Sequence, residues 1–199
     1  MSTPAMAHVA FQQNEYLVRR KILALLGAKF YIDDQQGNLI GFSHQKAFKL
    51  KEDIRIFTDE QMGHELVSIK ARKVLDFSSA YDVVDSATQQ KIGVLKRKGI
   101  KSAFLRDEWT IMDANEAPIG LIKEDSVLLA IIRRNLTNLV PQTYDFEIGG
   151  QRIGQAKQNF NFFAPKMKCD FSADGSKKLD RRLALSAVIL LMAIEGRQQ

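Results

Sequence analysis

Four basic side chains lie within six residues in the run Lys96-Arg-Lys-Gly-Ile-Lys101, at a predicted strand end and loop. Lysine acts as a compact point charge and arginine as a planar fork of donors, so Lys96, Arg97, Lys98 and Lys101 could attract phosphate groups. Near an anionic membrane surface, each such cation contributes about 1 kcal/mol. We therefore expect these four residues to contact an anionic ligand. The competing interpretation is a charged rim that keeps the protein soluble.

Other basic clusters along the chain allow the same two interpretations. The formal net charge is +6 and the isoelectric point is about 9.4, which favours anionic partners. Nucleic acid is a disfavoured partner, because the basic runs lack the interleaved aromatic residues that stack on bases. These clusters are Arg19-Arg-Lys21, Lys70-Ala-Arg-Lys73, Arg133-Arg134, and Lys177-Lys178 with Arg181-Arg182.

Side chains suited to catalysis are few and scattered. His8, His44 and His64 lie far apart and have neither His-x-x-x-His spacing nor an adjacent carboxylate motif. Cys169 is the only cysteine and has no nucleophile motif beside it, so we expect a strand residue near the core. The chain has no phosphate-binding loop and no Gly-x-Ser-x-Gly motif. We expect a protein without catalytic activity or cofactor, unless distant carboxylates pair in space.

Three carboxylates stand close together in the segment from Asp170 to Asp180, with Asp174 between them. A calcium loop needs dense oxygen ligands at close, regular spacing. Here Lys177 and Lys178 interrupt the acidic residues. The segment therefore predicts a turn and a helix cap, and we expect no metal site.

A short phrase recurs along the chain and predicts a β-hairpin each time. An aromatic or apolar strand is followed by a turn rich in Asp, Asn or Gly, and the next strand opens with Ile-Gly or a near equivalent. Successive hairpins predict one large antiparallel sheet. The copies join Phe30–Asp33 to Ile40–Gly41, Ile54–Phe57 to Leu66–Ile69, Tyr81–Asp85 to Ile92–Gly93, Trp109–Asp113 to Ile119–Gly120, and Tyr144–Glu147 to Ile153–Gly154.

The remaining segments predict a leading strand, a short helix and a tail. Residues 15–23 have a composition that suits a helix, but their place before the first hairpin favours a strand. Residues 125–135 predict an amphipathic helix capped by Asp125 or Ser126. Residues 1–13 show no apolar period and predict a flexible tail. The chain of 199 residues fits one domain, which we place at 14–199.

The segment from Leu183 to Ile194 is apolar on every side except at Ser186. A helix of this kind must be buried. Its 12 residues would form a helix about 18 Å long. A bilayer crossing needs roughly 20 residues, or about 30 Å, so the segment is too short to span a membrane. A sheet of about ten or more strands tends to close, and its lumen is then too wide for wall side chains to fill. We therefore expect an all-β barrel closed around a central helix at about 179–195.

The compartment is predicted from the cysteine count and the N-terminus. Residues Met1–Gln13 show no basic stretch followed by an apolar run, so we expect no secretory signal. A single cysteine excludes a disulfide framework within the chain. Together these features predict a cytoplasmic protein, which would be peripheral to a membrane if its ligand is a lipid.

The order of these features resembles the LURP-one-related family of the tubby C-terminal-like superfamily. The resemblance covers about residues 15 to 196 and implies a closed antiparallel barrel of twelve strands around the C-terminal helix. The segments that carry it are Tyr16-Leu-Val-Arg-Arg-Lys21, Phe30-Tyr-Ile-Asp-Asp-Gln-Gln-Gly-Asn38, Lys46-Ala-Phe-Lys-Leu50, Tyr81-Asp-Val-Val-Asp85 and Leu183–Ile194.

The resemblance also implies a direction for function. Tubby-like domains bind phosphoinositides through basic residues on the barrel wall, and the distantly similar phospholipid scramblases are linked to calcium and membranes. Neither site transfers residue by residue to this chain. We expect a non-catalytic binding or scaffold module whose favoured partner is anionic phospholipid. The alternative is a protein-interaction module with no lipid role, for which an exposed apolar patch around 127–132 would be the sign.

Overall fold

The computed structural model describes residues 8–23, 27–46, 53–72, 80–98, 108–124, 142–159 and 165–194. Within these ranges the chain forms twelve strands, a short 3-10 turn at Val9–Phe11 and one α-helix. The elements are β1 (Glu15–Leu23), β2 (Gly27–Asp33), β3 (Leu39–Lys46), β4 (Asp53–Phe57), β5 (Glu65–Ala71), β6 (Ala80–Asp85), β7 (Lys91–Arg97), β8 (Glu108–Met112), β9 (Pro118–Glu124), β10 (Thr143–Ile148), β11 (Gln151–Gln158), β12 (Lys166–Asp170) and α1 (Arg181–Ile194).

The strands form one closed antiparallel barrel in which each strand pairs with its neighbours in sequence. The first and last strands complete the circle, with Tyr16 of β1 opposite Cys169 of β12. The predicted all-β barrel is therefore confirmed, and so is the strand expected at 15–23. Closure leaves no unpaired sheet edge in the folded barrel.

All five predicted hairpins are present, and each contains a β-bulge beside its turn. In two hairpins the glycine of the Ile-Gly phrase lies where a neighbouring strand passes very close. A Cβ atom on Gly120 would lie 2.2 Å from the Glu147 carbonyl oxygen, and one on Gly93 would lie 2.4 Å from the Met112 carbonyl oxygen. At these two positions glycine is required by backbone approach, which is one of the uses of glycine in strands. At Gly154 a Cβ atom would instead meet the Phe171 ring at 2.2 Å.

We expect Gly120→Ala to destabilise the barrel by about 1–3 kcal/mol, because the added methyl group must push back a neighbouring backbone carbonyl. Chemical denaturation followed by circular dichroism measures this loss. Gly63→Ala is the matched control, since a Cβ atom there meets nothing within 4 Å. Equal stability of the two variants would contradict the close-approach explanation.

The barrel has two ends that differ in their connections. At the hairpin end lie the five hairpin turns and the first residues of α1, where Arg182 contacts Asp85 at the end of β6. At the distal end, β1, β3, β5, β7, β9 and β11 finish, and the 14-residue α1 is about 21 Å long and points that way. The residues connecting the strands at the distal end lie largely outside the described ranges.

The helix α1 fills the barrel. Side chains on every side of it are buried, including Leu185, Ile189 and Leu190, each with no exposed surface. The predicted central helix is therefore confirmed within two residues of its expected bounds. None of the helices in the described residues is long and apolar enough to cross a membrane.

The start of α1 is held by charged groups. Asp180 accepts a hydrogen bond from the Arg182 amide at 2.9 Å, as a helix-capping residue does. Arg181 forms an ion pair of 2.8 Å with Asp174, and the two side chains are only 3% and 0% exposed. Arg182 bonds both Asp180 and Asp85 at 2.6 Å. These contacts fix the helix to the hairpin end of the barrel.

Part of the segment expected to be a tail packs on the barrel. Val9–Phe11 form a 3-10 turn in which Ala10 and Phe11 are buried in the core. Two buried side chains are too few to produce a hydrophobic period, so the apolar pattern does not indicate this contact. The helix expected at 125–135 and the alternating segment at 47–51 lie outside the described residues.

Candidate anion-binding surface

The predicted contact residues stand at the distal end of β7. Lys96 is exposed on the outer wall, and its neighbours in the sheet are Ala80 of β6 and Thr110 of β8. No carboxylate among the described residues lies within ion-pair distance of Lys96. Lys98 follows the strand and lies 3.2 Å from Glu108, with 71% of its side chain exposed. Such an exposed pair contributes little to stability and leaves the ammonium group accessible.

Arg97 and Lys101 differ from these two lysines. Arg97 lies opposite Trp109, which is 1% exposed. Because paired residues share a face of the sheet, Arg97 belongs to the face that points into the barrel. Lys101 lies outside the described residues. Of the four predicted contacts, the structure therefore places Lys96 and Lys98 together on the outer wall.

One arginine in each of two other basic clusters, Arg19 and Arg72, is paired with carboxylates within the protein. Arg19 is bonded to Asp33 and lies 5.1 Å from the ring centroid of Tyr31. Arg72 bonds Asp82 and Glu116, and hydrogen bonds from Arg72 and Lys91 lower the pKa of Glu116 to about 2.

The cluster at the start of α1 is neutralised as well. Arg181 and Arg182 face inward to the carboxylates that anchor α1. Their interpretation as a surface cluster with Lys177 and Lys178 was wrong.

The residues considered for catalysis or metal binding do not come together. His64 lies in the exposed β4–β5 turn, whereas His44 lies on β3 and His8 accepts a hydrogen bond from the Ala10 amide. Cys169 is fully buried, as expected, and burial raises the pKa of its thiol. Within the described ranges, no group of three or more His, Cys, Asp or Glu residues could hold a metal ion.

The acidic segment before α1 forms the predicted turn and helix cap. Asp170 accepts a hydrogen bond from the Ser172 amide at 2.8 Å. Asp174 accepts from the amides of Lys178 and Leu179 at 2.8 and 3.1 Å, in addition to Arg181. The carboxylates are thus used for local structure.

A basic groove that sequence analysis missed crosses the outer wall over β11, β12 and β1. Its volume is about 500 Å³, and four of its lining residues are cationic: Arg152, Lys157, Lys166 and Lys168. Asp170 is the one carboxylate among the described lining residues. Lys166 and Lys168 are two residues apart on β12, but Arg152 and Lys157 lie on β11 and become their neighbours only through the strand register, so no single sequence motif indicates the groove.

The register places two of these lysines directly opposite each other. Lys157 of β11 pairs with Lys168 of β12, and Leu17 of β1 lies on the other side of Lys168. The adjacent pair, Ala156 and Cys169, points into the core with no exposed surface. Since side chains alternate along a strand, Lys157 and Lys168 both point outward into the groove.

A comparison with models of protein families identifies the family of the chain's barrel region. A family model described as LURP-one-related matches residues 40–191, which is more than half of the chain. The match spans β3 to most of α1 and therefore includes four of the five hairpins, the outer-wall lysines and the four cations of the basic groove, but neither β1 nor β2. No curated protein matches the chain significantly.

Proposed function

The chain belongs to the LURP-one-related family, and from this premise we propose that it is a non-catalytic binding or scaffold module that contacts anionic phospholipid at a membrane surface. The proposal rests on one observation: some of the protein's cations have carboxylate partners within the structure and others do not. Arginines near the start of α1 and on several strands have carboxylate partners. Among the described residues, Lys96, Lys157 and Lys166 toward the distal end have none, and Lys98 has only its exposed pair with Glu108. An anionic surface is the partner that such lysines suit.

The distal ends of two separate parts of the wall carry these lysines. Lys96 and Lys98 lie at the end of β7, and Lys157 and Lys166 lie at the corresponding ends of β11 and β12. Each lysine near an anionic membrane contributes about 1 kcal/mol to the binding free energy. Four such lysines together support reversible binding. Charge alone gives only weak binding. Stable attachment also requires direct contacts with lipid headgroups or an apolar side chain that inserts into the membrane.

An apolar side chain at the same end is consistent with this orientation. Ile22, near the end of β1, is 51% exposed. An exposed isoleucine beside a lysine, Lys21, matches the composition of surfaces that lie in the headgroup region. The distal end is therefore the face that we place against the membrane.

Co-sedimentation with liposomes tests the proposal. We expect binding to phosphatidylcholine vesicles that contain phosphatidylserine or phosphoinositide, and no binding to phosphatidylcholine alone. The double variant Lys96→Gln with Lys98→Gln should lose about tenfold or more in affinity, since two cations contribute about 2 kcal/mol. The measurement is made at low and at physiological salt, because screening removes contacts that are only long-range.

The matched control is Lys177→Gln with Lys178→Gln, which removes the same charge from exposed residues at the hairpin end. An equal loss in both double variants would show that only net charge matters. Absence of vesicle binding at physiological salt would refute the lipid proposal and favour the protein-interaction alternative. The patch at 127–132 that this alternative predicts lies outside the described residues.

A further inference from the structure

We infer that the basic groove over β11, β12 and β1 is a binding site for a phosphate-bearing ligand that carries at least two negative charges. The groove shares Lys157 and Lys166 with the membrane surface proposed above, but a site in the groove does not require the contact proposed for the end of β7. It rests on the shape of the groove, on the like-charge pair within it and on the state of the nearby carboxylates.

The groove has the size of a ligand site. Its volume of about 500 Å³ falls within the roughly 300–1,000 Å³ that is typical of small-molecule pockets. Apolar atoms, including those of Leu17 and Ala173, form most of the lining surface, and charged and amide groups are set among them. A small organic molecule with one or more phosphate groups fits this volume, whereas a single hydrated ion would leave most of the volume unfilled.

The pairing of Lys157 with Lys168 is unfavourable without an anion. Directly opposed residues on one face have Cβ atoms about 5 Å apart, and like charges in this arrangement are destabilising. The flanking residues in the same row, Thr143 and Leu17, carry no charge that could compensate. An oxyanion lying between the two ammonium groups would convert this repulsion into attraction.

Carboxylates near the groove neutralise two of its four cations only in part: Lys168 interacts with Glu15 and Asp170, and Arg152 lies 3.5 Å from Asp145. The Ser172 amide and hydroxyl, followed by Lys168, lower the pKa of Asp170 and keep it ionised. Glu15 is 3.8 Å from Lys168, whose side chain is 73% exposed. Among the described residues, no carboxylate lies within ion-pair distance of Lys157 or Lys166. The groove therefore keeps an excess of positive charge.

The chemistry of the lining selects phosphate. Lysine ammonium groups bind phosphate as point charges, and three of them converge here with the guanidinium of Arg152 at the other end of the groove. The described lining residues include no aromatic ring, so a nucleobase would find no stacking platform. The ligand is thus a phosphate ester or pyrophosphate group on a polar, non-aromatic remainder.

Isothermal titration calorimetry with inorganic pyrophosphate, at physiological salt, tests the inference. We expect saturable binding by the wild-type protein that sulfate at matched ionic strength does not reproduce. Lys157→Glu should raise the dissociation constant at least tenfold, which corresponds to ~1.4 kcal/mol. The same substitution should leave the melting temperature unchanged or higher, because a carboxylate at this position pairs with Lys168.

These two readouts distinguish loss of a site from loss of the fold. Lys177→Glu, an equal charge change at the hairpin end, should leave pyrophosphate binding nearly unchanged. Absence of pyrophosphate binding to the wild-type protein, or equal binding by Lys157→Glu, would overturn the inference.

Vesicles identify the source of the phosphate group. Phosphatidylcholine vesicles with and without phosphatidic acid present a phosphomonoester on a lipid. Displacement of bound protein from these vesicles by pyrophosphate would assign the groove to a lipid headgroup. Pyrophosphate binding without vesicle binding would assign it to a soluble phosphorylated ligand, and it would refute the membrane proposal while leaving the groove site intact.

Discussion

Leu190→Asp should abolish the folded state. Leu190 lies on α1 inside the barrel and has no exposed surface. Placing a carboxylate there buries a charge without a partner, which costs at least several kcal/mol even after relaxation and water penetration. A domain of this size is typically stable by only about 5–15 kcal/mol. We expect insoluble protein or a chain without a cooperative thermal transition, as measured by circular dichroism and calorimetry.

The control for this substitution is Leu190→Met, which keeps the volume nearly constant and should cost less than about 1.5 kcal/mol. A Leu190→Asp protein that melts within a few degrees of the wild type would show that α1 does not fill the barrel. Because α1 contacts the wall on all sides, the failure should be global, with loss of near-ultraviolet signal from buried Trp109 as well.

Asp174→Ala should cost about 3–5 kcal/mol, the loss expected when one partner of a buried ion pair is removed. Arg181 would keep its charge in a site where its side chain is 3% exposed. The amides of Lys178 and Leu179 would also lose their acceptor. Urea denaturation at pH 7 measures the difference. Glu116→Ala, which breaks the exposed pair with Arg72, should cost only about 0–1 kcal/mol.

The effect of Asp174→Ala should depend on pH in a defined direction. Burial alone would raise the pKa of Asp174, but hydrogen bonds from Arg181 and from the Leu179 and Lys178 amides outweigh it, so the pKa is lowered. A lowered carboxyl pKa gives stability above the unfolded-state pKa, and this stability is lost as pH falls through the folded-state value. The difference between wild type and variant should therefore be complete at pH 7 and shrink below about pH 4. A difference that stays constant from pH 7 to pH 3 would contradict this assignment.

Much of the fold was predictable because hairpins are local. In a hairpin the two strands and the turn are neighbours in sequence, as at Trp109–Asp113 and Ile119–Gly120. The Asp, Asn and Gly residues of the turn indicate where the chain reverses. The position of α1 was equally predictable, because a helix that is apolar on all sides must be buried in the protein interior. Pairing of β1 with β12 joins residues at opposite ends of the chain, and periodicity carries no information about such a contact.

The surface was harder to predict for the same reason. Lys157 and Lys168 look unrelated in sequence and meet only through the strand register. Conversely, Arg181 and Arg182 are adjacent in sequence and suggested a surface cluster, yet both have internal carboxylate partners. Charge counting detects cations but does not show which of them are already neutralised. That distinction needed Asp85 and Asp174, which lie far apart in the chain.

The closure of the barrel by its first and last strands also bears on how the protein is made. During synthesis β1 leaves the ribosome first, while its partner β12 and the helix that fills the lumen come last among the described elements. Until then the nascent sheet has two open edges and an empty interior, and such edges can pair with other chains. The barrel therefore cannot close until β12 and α1 have been synthesised, and a chain terminated before β12 would keep both edges open.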